Sequence, residues 1–71
     1  MENKFGERLK ELRIENNLSQ KELSKKLNNK ITQSAIGLWE LNKRVPNLDA
    51  VILVAGFFGV SLDYMAGIVD D

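Results

Sequence analysis

The sequence predicts an all-α fold, a compact bundle of five short helices. Two observations support this prediction: apolar side chains recur three or four residues apart, and a side chain that can cap a helix precedes four of these segments. No segment has the pattern of a strand. With 71 residues, 44% of them hydrophobic and 28% charged, the chain is expected to be a single globular domain over residues 1–71.

The first helix is predicted over residues 4 to 16. Phe5, Leu9 and Leu12 have the spacing i, i+4 and i+7, which places them on one face of a helix. The pair Asn16-Asn17 is expected to end this helix.

The second helix is predicted from residue 20 to residue 27. Ser19 and Glu22 have the spacing of a capping box, in which the side chain of each residue bonds the backbone N–H of the other. Leu23 and Leu27 then form the inner face of the helix.

The third helix is predicted over residues 33 to 41, with Thr32 as its cap. Ile36 and Trp39 are expected on its inner side, and for Trp39 a place in the core is favoured over stacking on bases. Asn42 suits the left-handed conformation that often follows the end of a helix.

Two further helices complete the bundle. Asn47 caps a predicted fourth helix over residues 48 to 58, which Gly59 ends. Ser61 caps a short fifth helix, which ends at Gly67.

The fourth helix is apolar on more than one side. Its core face is predicted to consist of Leu48, Val51, Ile52, Ala55 and Phe58. Leu53 and Phe57 lie more than about 100° from the centre of that face. One alternative is that the fifth helix and the tail cover them, through Met65, Ile68 and Val69. The other is that a second copy of the chain does, so that Leu53 and Phe57 form a dimer face.

The composition excludes several classes of protein. The absence of cysteine and histidine removes disulfides, thiol catalysis, cysteine-based zinc sites and the commonest general base. The longest apolar run, residues 50–60, is too short to cross a bilayer, and the first residues lack the apolar stretch of a signal peptide. We therefore expect a cytoplasmic protein that is not an enzyme, with no catalytic residues, metal, cofactor, membrane contact or evident small-molecule ligand.

The charges are segregated along the chain, although the formal net charge is zero. Residues 20–46 contain six basic and two acidic side chains, whereas residues 47–71 contain four acidic and no basic ones. One surface can therefore carry a positive field while the whole molecule stays neutral.

The second and third predicted helices, joined by a brief turn over residues 20–41, have the outline of a helix-turn-helix unit. In such a unit the second helix enters the major groove of double-stranded DNA. Gln33, Ser34, Gly37 and Leu38 would face outward from it. Because base edges lie deep in the groove, a slim and uncharged outer face allows the close approach that base reading requires.

Four segments in the same order resemble the lambda-repressor/Cro type of helix-turn-helix regulator. They are LSQKEL (18–23), IGLWE (36–40), NKRVPNL (42–48) and FFGVSLDYMAG (57–67). The likeness extends from about Arg8 to Gly67. It implies a lambda-repressor-like DNA-binding domain and the residue roles that follow.

By this resemblance, the first, second and sixth residues of the third helix read bases, and these are Gln33, Ser34 and Leu38. A glutamine can pair bidentately with adenine, a serine can donate to a base or a phosphate, and a leucine can contact only a thymine methyl group. Leu38 and Gly37 depart from the family pattern. We therefore expect a narrow readout that rests on Gln33 and on DNA shape.

The resemblance also implies phosphate contacts. Gln20 lies at the start of the second helix, where free N–H groups favour an anion. Thr32, which caps the third helix, is a further expected phosphate ligand. The basic residues Lys43 and Arg44 follow the third helix and would set its register on the DNA backbone. The alternative for the basic pair is a solvated turn.

Two further features concern structure. Arg13 and Glu40 match a pair that forms a salt bridge between helices in relatives, and Glu40 is expected to be partly buried. Where relatives usually have Leu-Gly-Val in the turn, this chain has Leu27-Asn28-Asn29-Lys30-Ile31, which is two residues longer and lacks glycine. Asparagine tolerates the left-handed conformation, so a turn remains possible.

The leading hypothesis is a sequence-specific transcriptional regulator, a repressor of phage or mobile-element type that binds a palindromic operator as a homodimer. The alternative is an antitoxin-like module that binds a partner protein as well as DNA. A short toxin-like gene beside this one would favour the alternative.

Overall fold

The computed structural model describes residues 4–68. These residues form five α-helices and no strand, which confirms the predicted all-α class. The first four helices begin and end within one residue of the predicted positions. The helices are α1 (Phe5–Glu15), α2 (Gln20–Lys26), α3 (Gln33–Glu40), α4 (Leu48–Phe58) and α5 (Leu62–Ala66).

Side-chain caps begin four of these helices, as predicted. The Ser19 hydroxyl accepts a bond from the N–H of Glu22, and the Glu22 carboxylate accepts one from the N–H of Ser19. The bond from the Ser19 backbone, followed by the contact with the Ser19 hydroxyl, holds the pKa of Glu22 below its ordinary value. Thr32, Asn47 and Ser61 accept equivalent bonds at the starts of α3, α4 and α5.

Asparagines in the left-handed conformation follow the first three helices. Asn17 and Asn42 have φ angles of 57° and 58°, and in the α2–α3 turn Asn28 and Asn29 have φ angles of 56° and 58°. Asparagine is one of the few residues besides glycine that adopts this conformation routinely. The turn therefore forms without glycine.

Ser24 stabilises the longer turn between α2 and α3 through two hydrogen bonds. Its hydroxyl donates to the carbonyl oxygen of Ile31 at 2.6 Å, and the N–H of Asn29 bonds to the carbonyl of Ser24 at 2.9 Å. Ser24 and Ile31 are both buried. Because a buried carbonyl needs a donor, this contact fixes where the chain re-enters the core before α3.

The core lies between α1, α2 and α3, with α4 and α5 closing it. α1 packs against α3 and α5, α2 against α3, and α4 against α5. The rings of Phe5 and Trp39 meet edge to face, 5.4 Å between centroids, which confirms the core position of Trp39. The core residues are Phe5, Leu9, Leu12, Leu23, Leu27, Ile31, Ile36, Trp39, Val54, Ala55 and Met65.

The predicted core face of α4 is wrong in part. Leu48 is 67% exposed and Ile52 is 49% exposed, whereas Val54 and Ala55 are buried. The buried side is rotated toward Val54, away from Leu48. Since apolar side chains surround α4 on nearly all sides, periodicity alone does not select the side that meets α5 and the core.

The second predicted apolar face of α4 also differs from expectation. Leu53 is half-buried and packs against the core, whereas Phe57 is 39% exposed. Of the residues that were candidates to cover this face, Met65 is buried in the core and Ile68 is exposed. Val69 lies outside the described residues.

Candidate nucleic-acid interface

The outer surface of α3 is shallow and carries no charge. Gln33 and Ser34 are exposed at its start, and Leu38 is half-buried one turn further on. Together with Gln20, Gly37 and Leu41, these residues line one open depression. The structure thus brings the three predicted base-reading residues to one surface, with Gln20 beside them.

The rotation of α3 follows from its buried side chains. Ile36 and Trp39 point into the core, and Thr32 accepts the N–H of Ala35 at 3.1 Å to hold the first turn. Residues on the opposite side of the helix are therefore directed away from the protein. The indole N–H of Trp39 is buried without a hydrogen-bond partner, and the ring is not available for stacking on bases.

A hydrogen-bonded network joins the end of α3 to the first two helices. The Arg13 guanidinium donates to both carboxylate oxygens of Glu40, at 2.8 and 3.0 Å, and also to the carbonyl of Leu18 at 2.8 Å. The two side chains of the pair are only 13% and 5% exposed. The bond to Glu40 raises the pKa of Arg13, against the opposing effect of burial.

Gln20 belongs to the same network. Its side-chain nitrogen donates to Oε1 of Glu40 at 3.2 Å. The side chain is therefore anchored beside α3, and the phosphate contact that the resemblance implies for Gln20 stays a prediction. This position beside the predicted base-reading residues depends on Glu40, which is 20 residues away in sequence, so periodicity does not indicate it.

The connector after α3 presents the basic pair. Lys43 and Arg44 are both exposed, and the N–H of Lys43 bonds to the carbonyl of Leu38 at 2.9 Å, which ties the connector to the helix. Arg44 shares an open groove of about 580 Å³ with Lys30 and Thr32. Thus Thr32 and Arg44, which were predicted separately as phosphate ligands, lie along one groove. Lys30 beside them was not predicted.

Metal-binding clusters and membrane-spanning helices are both absent from the part of the chain that the structure describes. Residues 4–68 contain no cluster of acidic side chains that could hold a metal ion. Nor does any helix within them have the length and apolar character needed to cross a membrane.

The chain is similar to known proteins over most of its length. The helix-turn-helix family matches residues 9–65. YobD of Bacillus subtilis (strain 168), an uncharacterized HTH-type transcriptional regulator, is 34% identical over 67 residues, which are 94% of this chain and 58% of that protein. The HTH-type transcriptional activator BcrR of Enterococcus faecalis is 36% identical over 59 residues, which are 83% of this chain and 28% of that protein. The chain therefore spans less than two thirds of either relative. No solved structure is significantly similar to it.

The family match includes most of α1, the whole helix-turn-helix unit and α4. Both relatives are named as regulators of transcription, and neither is named as an enzyme. The family match agrees with the helical architecture. The chain belongs to the Cro/C1-type helix-turn-helix family.

Proposed function

We propose that this chain represses transcription by occupying a palindromic operator as a homodimer, with α3 in the major groove. The observation that carries the proposal is the outer surface of α3, where Gln33 and Ser34 are exposed and uncharged beside an exposed basic connector. Repression needs only that the operator be occupied, whereas activation needs a further contact with the transcription machinery. One relative, BcrR, is named as an activator, and a reporter gene placed behind the operator distinguishes the two, because repression lowers its expression and activation raises it.

The base contacts are proposed for three side chains of α3. Gln33 pairs with N6 and N7 of an adenine, and Ser34 bonds to a base edge or a neighbouring phosphate. Leu38 is half-buried and uncharged, which suits contact with a thymine methyl group and little else. Specificity at other positions then comes from the shape of the DNA.

The backbone contacts are proposed for Thr32, Lys43 and Arg44. Thr32 and Arg44 lie along the same groove at the start of α3, and Lys43 is held near the end of α3 by its bond to Leu38. Contacts at both ends of the helix would fix its register on the duplex without reading sequence. Gln20 points along α3 toward Glu40, so its contribution is argued separately below.

The homodimer is proposed to form through the outer face of α4, which we define as Ile52, Gly56 and Phe57. Ile52 and Phe57 are large, apolar and exposed, and a Cβ placed on Gly56 would meet nothing within 4 Å. Leu53 packs against the core and contributes at the edge of this face only. A two-fold dimer would present two copies of α3 about 34 Å apart, the spacing of successive major grooves.

Selection of bound sequences from a random pool of duplexes tests the proposal. We expect enrichment of a palindrome whose half-sites are centred about 10 base pairs apart, each with an adenine that Gln33→Ala no longer selects. Enrichment of no sequence would contradict sequence-specific binding. Enrichment of a single half-site without symmetry would contradict the dimer alone.

A further inference from the structure

The Gln20 side chain lies over Gly37, on the outer surface of α3. A Cβ placed on Gly37 would be 3.4 Å from Oε1 and 3.8 Å from Nε2 of Gln20. These are van der Waals distances, so the carboxamide lies directly beside Gly37. It shares the surface depression with Gln33, Ser34 and Leu38.

The orientation of this carboxamide is determined by its partner. Nε2 of Gln20 is 3.2 Å from Oε1 of Glu40. An ionised carboxylate only accepts hydrogen bonds, so the amide nitrogen and not the oxygen must face it. Glu40 in turn accepts hydrogen bonds from two nitrogens of the Arg13 guanidinium. One N–H and the carbonyl oxygen of Gln20 then remain for a ligand.

A donor beside an acceptor on one planar group matches the edge of adenine in the major groove. The N–H can donate to adenine N7 while the oxygen accepts from adenine N6. A phosphate offers acceptors only, so it would use the N–H and leave the carbonyl oxygen of Gln20 facing a negative charge. The chemistry of the anchored carboxamide therefore favours a base over the backbone.

We infer that Gln20 is a specificity-determining residue that reads an adenine, acting from α2 beside Gly37 of α3. The inference rests on the proposed insertion of α3 into the major groove. The Gln20 carboxamide is in van der Waals contact with the Gly37 side of α3, and its bond to Glu40, which is paired with Arg13, holds it there.

The test compares the sequences selected by the parent with those selected by Gln20→Met, Gln20→Ala and Gln33→Ala. Methionine keeps the length of the side chain over Gly37 and lacks the amide. Both Gln20 variants should bind the parent operator about tenfold more weakly and lose preference at one base pair, different from the pair that Gln33→Ala affects. Lys21→Ala, an exposed change on the same helix, is the control and should keep every preference.

A second measurement uses the unmodified protein. Replacing each adenine of the operator in turn with 7-deazaadenine removes N7 without disturbing base pairing. Two sensitive positions in each half-site are expected, one for Gln33 and one for Gln20.

Three outcomes would overturn the inference on Gln20: a single sensitive adenine in each half-site, a uniform loss on all sequences, or unchanged preferences in both Gln20 variants. If the parent selects no sequence at all, the proposed function itself fails. These results are therefore distinguishable.

Discussion

At the scale of single residues, Gly6 has a role that depends on a distant part of the chain. A Cβ at this position would overlap the carbonyl oxygen of Trp39, and backbone atoms cannot move aside as the end of a side chain can. We expect Gly6→Ala to lower the free energy of unfolding by about 3 kcal/mol, measured by urea denaturation.

Gly56→Ala provides the matched control at concentrations at which the chain is monomeric, because a Cβ there meets nothing of its own chain within 4 Å. This change should stabilise the fold by about 0.5–1 kcal/mol, since alanine favours the helix. Stabilisation by both substitutions would show that α1 and α3 can separate enough to accept the methyl group.

A second prediction at the scale of single residues concerns the contribution of Arg13 to stability. Its removal would leave the Glu40 carboxylate, which is 5% exposed, without its bidentate partner. We expect Arg13→Ala to lower the free energy of unfolding by about 3–5 kcal/mol. Lys10→Ala, an exposed change on the same helix, should have little effect.

A double variant separates the charge from the packing of this pair. Replacing both partners, as Arg13→Met with Glu40→Leu, leaves no buried charge and should recover much of the loss. A melting temperature of Arg13→Ala equal to that of the parent would contradict the importance of the pair.

At the scale of elements, the connector after α3 is predicted to act through charge alone. Lys43→Ala and Arg44→Ala should each weaken binding about equally on all sequences and reduce the slope of log affinity against log salt by about 0.9. Lys10→Ala, next to Glu7 and Glu11 on α1, is the control and should leave the slope unchanged. An unaltered slope in the double variant would remove both residues from the interface.

Local chemistry explains why the elements could be predicted. A cap such as Ser19 or Thr32 acts within three residues, so the sequence contains all the groups that decide where the helix begins. The bond from Ser24 to Ile31 joins residues seven apart across a turn, and no helical or strand period marks it. The boundaries of α2 and α3 were therefore predictable, whereas the device that fixes the turn between them was not.

At the scale of the whole molecule, α4 shows where pattern reasoning fails. Its centre contains only apolar residues and glycine over positions 50–58, so several faces fit the core equally well by period. Only the placement of α5 and the rest of the core decides that Val54 is buried and Leu48 is not. The candidate site is likewise only partly predictable from the sequence. The exposure of Gln33 can be predicted from its position in α3, whereas the place of Gln20 beside Gly37 depends on a contact with Glu40.

The exposed outer face of α4 leads to the prediction on assembly. Ile52 and Phe57 are large apolar side chains that are exposed in one chain, and burial of such side chains favours association. We expect the parent to sediment as a dimer on a palindromic duplex. Ile52→Glu and Phe57→Glu should give folded monomers that bind the operator far more weakly, because a single copy of α3 then contacts a single half-site.

Two controls separate this assembly from stability. Ile14→Glu introduces the same charge at an exposed apolar position on α1 and should leave the dimer intact. Leu53→Glu should instead destabilise the fold, because Leu53 packs against the core and a carboxylate there would be partly desolvated. A parent that stays monomeric both at tens of micromolar and on the palindromic duplex would show that each copy of α3 binds alone, so that the affinity of the operator would come from one half-site.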